Sequence, residues 1–223
     1  QNGGISGIDI NAETAWNITT GNPTIRVAVL DRGFEMNHPD LTHNTFGTGF
    51  DTETGTSPSQ VRGSHGTPCA GIIAAEGNNG IGVSGVAPDS NLISVSNNLL
   101  LSTTVKQRLA NGINWSWQNG AAIISNSWGH DALASSLIDD AIDNAFTQGR
   151  NGLGCIVVFA AGNNNAAVSY PANSHPNILA VGAMSPCGQR KNPSSCDRES
   201  WGSNFGNELD IVAPGVLIAT TDR

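Results

Sequence analysis

The run IRVAVL at residues 25–30 passes directly into a polar turn, DRGFEMNHPDL at residues 31–41. Its apolar residues do not alternate with polar ones and several are β-branched, so the run reads as a strand covered on both faces. Four further runs share that character: NLISVS at 91–96, AAIISNS at 121–127, CIVVFAA at 155–161 and ILAVGA at 178–183. Between them lie candidate helices: TPCAGIIAA at 67–75, TTVKQRLANGINWSWQNG at 103–120 and SSLIDDAIDNAFTQG at 135–149. Strands alternating with helices predict an α/β fold, a parallel twisted sheet with helices on both faces. In such sheets chemistry gathers beyond the carboxyl ends of the strands. A further apolar stretch, DIVAPGVLIA at 210–219, reads as another buried strand. No repeat or linker divides residues 1–223, which are read as one domain.

The chain carries a formal charge of -8, with 10 Lys and Arg against 18 Asp and Glu. It therefore lacks the basic footprint that a nucleic-acid partner requires. No segment approaches the ~20 apolar residues of a membrane span, and the start QNGGISG has neither initiator Met nor signal-peptide character. A processed, secreted or periplasmic protein is expected. Cys187 and Cys196 flank GQRKNPSS, whose Gly and Pro can turn the chain and bring the sulfurs together, so a disulfide is expected there. A metal site competes for that pair, although no second Cys or His pair stands at ligand spacing. Cys69 and Cys155 sit in apolar surroundings, and Cys69 reads as a small buried hydrophobe rather than a nucleophile.

Three strand ends hold residues suited to acyl transfer. Asp31 ends the first strand, where a carboxylate can cap, fix a turn or orient a base. His65, in SHGTPCAG, opens an apolar helix and can face a cleft. In FAAGNNN a buried strand opens into Gly162 and Asn163, and an asparagine amide can donate to a developing oxyanion. Each alone has an ordinary structural explanation. In this order they are what a general base, its orienter and an oxyanion hole demand.

The stretches AVLDRGFEMNHPDL, SHGTPCAGIIAAEGNNGIGVSGVAP, SNSWG, VVFAAGNN, GSNFG and DIVAPG closely resemble the subtilisin-like serine proteases, in that order along nearly the whole chain. Several resemble the kexin and proprotein convertase branch. The resemblance implies the three-layer subtilisin-like fold and peptide-bond hydrolysis through an Asp-His-Ser triad. It gives Asp31 the role of orienting His65, His65 that of general base and then acid, and Asn163 that of oxyanion donor. It implies that Ser127, Trp128 and Gly129 form an edge that pairs with a polypeptide substrate, and that Ala161, Gly162 and Ser169 border the primary pocket. The Trp128 ring could be core or cleft wall, and because SNSWG ends a strand the cleft wall is expected. It also implies a Ca2+ site in which Asp40 and Asn79 supply side-chain ligands and Glu76, Ile81 and Val83 supply carbonyls.

Two departures stand out. Family members carry a Gly-Thr-Ser nucleophile motif shortly after VAPG, and residues 216–223 contain none. The Gly-Thr-Ser at 55–57 precedes His65, is followed by Pro58 and leads into no apolar helix, so it reads as a loop. The expectation is that Arg223 is a proteolytic end and that the serine is supplied by a C-terminal fragment of the same precursor, bound to this chain. The alternative is an inactive, subtilase-like peptide-binding module. The second departure is Arg32, next to Asp31, where kexin-like enzymes often carry an acidic residue. An arginine facing the cleft there reverses the local sign and disfavours a basic side chain just before the scissile residue; the alternative is a solvated arginine that swings away from the cleft.

Overall fold

The computed structural model describes residues 5–223. Seven strands are described: β1 (Arg26–Asp31), β2 (Phe50–Asp51), β3 (Asn91–Ser96), β4 (Ile123–Asn126), β5 (Ile156–Ala160), β6 (Leu179–Met184) and β7 (Ile211–Pro214). They form one sheet in the order β2-β3-β1-β4-β5-β6-β7, with each neighbouring pair parallel. Chain order reverses across β1, which lies between β3 and β4. That reversal opens the crevice in which parallel sheets place their ligands.

The helices are α1 (Ala12–Ala15), α2 (Gly66–Ala74), α3 (Val105–Gln118) and α4 (Ser136–Gly152). The absence of alternation in β1 has a direct cause: Ala28 and Leu30 enter the larger core cluster with α3 and α4 residues, whereas Val27 and Val29 enter a second cluster with Ala70 and Ala74 of α2. Helix α3 buries Val105, Leu109, Ile113 and Ser116, the spacing of one helical face. It approaches the sheet closely at Gly112, where a Cβ would stand 3.0 Å from Leu30. Ser135 caps α4 by accepting from Leu137 N at 3.3 Å. The helical backbone of α4 breaks at Gly149, and Arg150 and Asn151 turn left-handed.

Two sequence expectations need correction. The stretch 210–219 is not one buried strand: only Ile211–Pro214 pair, at the sheet edge, and Ile211 and Val212 are 49% and 43% exposed. The two-residue strand β2 is too short to leave a periodic signal. Cys187 and Cys196 form the expected disulfide, with Cα atoms 6.4 Å apart. Within that loop the sequence hid a buried cation: Lys191 Nζ pairs with Asp197 at 3.0 Å, neither side chain reaching solvent. Nζ also donates to the carbonyls of Asn192 at 3.0 Å, Glu199 at 2.8 Å and Trp201 at 2.8 Å. An ammonium so surrounded fixes the loop, because every donor has a partner.

Candidate active site

Asp31 closes β1 with its side chain fully buried. The backbone there is fixed by register with Ser96 of β3 and by donation from Asn97 N to Asp31 O at 2.8 Å. One carboxylate oxygen accepts from Arg32 N at 2.6 Å. His65, at the cap position of α2, brings Nδ1 to 2.9 and 2.8 Å from the two oxygens of the same carboxylate. Its side chain is 53% exposed, so the ring has one edge on buried charge and the other open. A carboxylate can only accept, which assigns Nδ1 a proton and makes Nε2 the lone-pair nitrogen whenever the ring is neutral.

Glycine makes this approach possible. At Gly66 a Cβ would lie 2.3 Å from Gly33 O, and at Gly33 (φ +74°) one would lie 2.2 Å from Gln60 O. The start of α2 can therefore sit directly on the turn that follows Asp31.

Asp31, as hydrogen-bond partner of the imidazole, raises the pKa of His65 above the ordinary value. The thiol of Cys69 adds to the rise, and partial burial opposes it. Cys69 is thus not the buried hydrophobe expected: it is half-exposed, with Sγ 3.7 Å from His65 Nδ1. The spacing of four residues on one helix was the available signal, since it puts both side chains on one face.

Of the edge residues, Ser127 is half-buried and Gly129 is exposed. Trp128 is largely a core residue and meets the expectation of a cleft wall only at one flank: it is 7% exposed and stacks edge-on against Phe159 at 5.0 Å. Its indole N–H donates to Leu30 O at 3.0 Å, tying β4 to the residue before Asp31. A flank of Trp128 does border a cavity of about 150 Å³ lined by Leu99, Leu101, Val105 and Leu133, beside Gly129. Asn163 is exposed, just past β5, and lines a groove of about 460 Å³ together with Ser127, Ala161, Gly162, Trp201 and Ile72 of α2. That groove runs between the helix begun by His65 and the loop carrying Asn163. Ala161 itself is buried, its carbonyl accepting from Ser169 N at 3.1 Å. Arg32 lies along Gly63, where a Cβ would meet Arg32 Cδ at 2.6 Å, and its guanidinium has no ion-pair partner among the described residues. Ser57, in the displaced Gly-Thr-Ser, is exposed in a turn and donates to Gly49 O at 2.6 Å.

The loop 76–83 wraps Asp40, which is 1% exposed. Asp40 accepts from Asn79 Nδ2 at 2.8 Å and Val83 N at 2.8 Å, and its own carbonyl accepts from Glu76 N at 2.9 Å. Asn79 Oδ1 accepts from Ile81 N at 3.1 Å. A Cβ on Gly82 would touch the Asp40 carboxylate at 2.0 Å, so the loop closes on it tightly.

Residues 22–222 match the family model described as the subtilase family. The chain belongs to the subtilase family. It is 38% identical over 225 residues to subtilisin from Bacillus pumilus, covering 98% of this chain and 74% of that protein. It is 33% identical over 207 residues to a thermophilic serine proteinase of Bacillus sp. (strain AK1), covering 93% and 48%. A calcium-dependent protease of Nostoc sp. is 34% identical over 241 residues, covering 96% and 34%. Among solved structures, a chain from the proteases of Pseudoalteromonas arctica PAMC 21717 superposes with a TM-score of 0.76 at 29% identity, covering 92% of this chain and 67% of that one. The sheet and its helices are thus the subtilisin-like fold. This subtilase chain spans about half the length of the Bacillus sp. proteinase.

The Asp31–His65 contact fixes a sign for pH dependence. Because the folded-state pKa of His65 is raised, its contribution to stability is complete below the unfolded value of about 6.5 and is lost as pH rises through the folded value. Asp31→Asn is expected to bring the imidazole titration down toward the ordinary range, read from the ring Cε1–H resonance. The stability gap between wild type and variant should be widest below pH ~6.5 and narrow above the wild-type His65 pKa. An unchanged titration in the variant would show that the carboxylate does not govern His65.

Proposed function

We propose that this chain is the base-bearing part of a serine endopeptidase that hydrolyses polypeptides. The observation that carries the reading is His65 Nδ1 held at 2.8 and 2.9 Å from a fully buried Asp31 while the opposite ring edge is open. In the reaction Nε2 takes the proton of a serine hydroxyl as its oxygen attacks the scissile carbonyl. Asp31 keeps the ring oriented and stabilises the imidazolium so formed. The side-chain amide of Asn163 donates to the carbonyl oxygen as it gains negative charge, an effect worth about 3 kcal/mol in the transition state. His65 then returns the proton to the leaving amine, and water repeats the cycle on the acyl-enzyme.

The serine is assigned to sequence following residue 223, whether continuous with this chain or held as a bound fragment. Thr220 and Thr221 donate to Pro68 O and Thr67 O, both at 2.7 Å, which fastens this segment on the first turn of α2. The substrate lies extended along Ser127–Gly129, pairing main chain to main chain, with an apolar side chain over the cavity bordered by Trp128 and Leu133. Gly162 and Ser169 border the primary pocket. Arg32 places an unpaired cation beside the site, which sets this chain apart from the kexin-like preference for paired basic residues. The disulfide favours an oxidising compartment, and with it secretion; no described helix is long and apolar enough to cross a membrane.

The Asp40 loop fits Ca2+. Its buried carboxylate has no ion-pair partner among the described residues and is held by two N–H donors, Asn79 Nδ2 and Val83 N, so an ion would bind there once the Asn79 amide turns its oxygen toward Asp40. Asp40 and the amide oxygen of Asn79 would supply side-chain ligands, with carbonyls of Glu76, Ile81 and Val83. Bound there, the ion neutralises Asp40 and stiffens the loop.

The whole protein should be labelled by a serine-directed phosphonate, and Asn163→Ala should lower kcat by about 100- to 1,000-fold with little change in KM. Absence of both label and turnover would leave the peptide-binding module as the better account. Chelation should lower the melting temperature of wild type, and Asp40→Ala should remove most of that difference; equal transitions with chelator and with excess Ca2+ would exclude the site. For specificity, Arg32→Asp should raise kcat/KM for peptides with Lys or Arg just before the scissile residue relative to those with Glu. An unchanged ratio would place the guanidinium outside the substrate's reach.

A further inference from the structure

The motif GSNFG at residues 202–206 takes no part in the chemistry above, yet it lies against the loop that does. Asn204 is 1% exposed. Its Oδ1 accepts from Asn164 N at 2.9 Å and from Ala166 N at 3.1 Å. Its own N–H donates to Gly162 O at 2.8 Å. Asn163 is therefore bracketed: the carbonyl before it and the amide after it are both held by one buried residue, while its own side chain stays exposed. The neighbours extend the seam, Asn165 N donating to Gly202 O at 2.8 Å and Phe205 N to Ala166 O at 2.8 Å. Gly162, at φ +107°, is the point of closest approach, for a Cβ there would stand 2.4 Å from Asn204 Nδ2.

The template is itself anchored. Ser203 N donates to Lys191 O at 2.9 Å, and Ser203 Oγ accepts from Ala183 N of β6 at 2.9 Å. On the other side, Trp201 O is one of the carbonyls that hold the buried Lys191 ammonium. The chain Lys191, Trp201, Ser203, Asn204 thus connects the sheet and the disulfide loop to the residues on either side of Asn163.

We propose that Asn204 is a positioning residue for the oxyanion donor, setting the main chain of residues 162–166 so that the Asn163 amide is already aimed when charge develops. The inference rests on the role given to Asn163 above. Residues 163–167 are exposed and form no strand or helix, so without a partner they would sample many turn conformations. A donor displaced by about 1 Å loses on the order of 100-fold in rate. A single carboxamide oxygen that accepts the loop amides of Asn164 and Ala166 removes that freedom, beginning one residue from the donor.

The test is a double-mutant cycle on the whole protease with a chromogenic peptide. Asn204→Ala is expected to lower kcat by about 10- to 100-fold while KM stays within about twofold. In an Asn163→Ala background the same change should cost less than about twofold, because the group it positions is gone. Equal losses in both backgrounds, or a loss carried by KM, would make Asn204 an ordinary stabilising residue and overturn the proposal. Amide hydrogen exchange in the wild type supplies a second reading that needs no variant to fold: the N–H groups of Asn164 and Ala166 should be protected despite their exposed loop, and free exchange at both would reject the clamp. A wild type that turns over no peptide and takes no phosphonate would defeat the protease reading instead, leaving the exchange measurement to decide the clamp alone.

Discussion

A fully buried carboxylate at the end of β1 is the constraint around which the rest of this molecule is arranged. The strand that carries Asp31 is otherwise apolar on both faces, and a buried carboxylate left unpaired would cost several kcal/mol, on the order of what a whole domain has to spare. Its needs are met by the Arg32 amide and the His65 ring. Meeting them requires α2 to begin on the turn after β1, which explains the glycines at 66 and 33: a side chain at 66 would force helix and turn apart, and one at 33 would drive the turn into the Gln60 carbonyl. The same contact that satisfies the aspartate gives the histidine its orientation and its raised basicity. Stability and chemistry are here one interaction.

The parallel sheet turns that local solution into a site. Because β3, β1, β4 and β5 run the same way, their carboxyl ends open on one edge, and residues separated by 132 positions, Asp31 and Asn163, are carried to it. Side chains beneath the edge lock neighbouring strands in register. Trp128 is the clearest, since its indole spans from β4 to the carbonyl of Leu30. A rigid edge matters because dipoles that must reorganise during reaction contribute far less than dipoles already in place.

Much of this could be read without coordinates, for definable reasons. The strands announced themselves because burial on both faces removes polar alternation, and Asp31, His65 and Asn163 were conspicuous as polar residues at the ends of apolar runs, His65 opening one and the other two following theirs. Where reading failed, one residue type had two physically sound fates. Trp128 ends a strand and could have faced the cleft or the core, and an indole N–H within reach of an unused carbonyl decided for the core. Cys69 looked buried from its apolar neighbours, but its face of α2 is shared with His65. The stretch from Asp210 to Ala219 was apolar enough for a strand, and its position at the edge of the sheet among the described residues leaves Ile211 and Val212 open to solvent. Lys191 and Asp197 could not have been foreseen: charged residues in a Gly- and Pro-rich segment ordinarily face water, and nothing local reveals that three carbonyls converge on one ammonium.

That last failure points to how the two kinds of site differ. Asp31 and His65 are positioned by regular structure, and regular structure is written in the periodicity of the sequence. The residues after β5 are positioned by side chains reaching main-chain groups from a distant loop, and such contacts have no period. They do have a physical signature, which is burial of an amide-bearing residue among exposed ones. Asn204 is buried while Asn163, Asn164 and Asn165 are exposed, although all four share one side chain. Water could hydrogen-bond the loop amides as well as Asn204 does, so the contact adds little to net stability. What water cannot do is hold them in a single arrangement, and an exposed loop of defined shape depends on that difference.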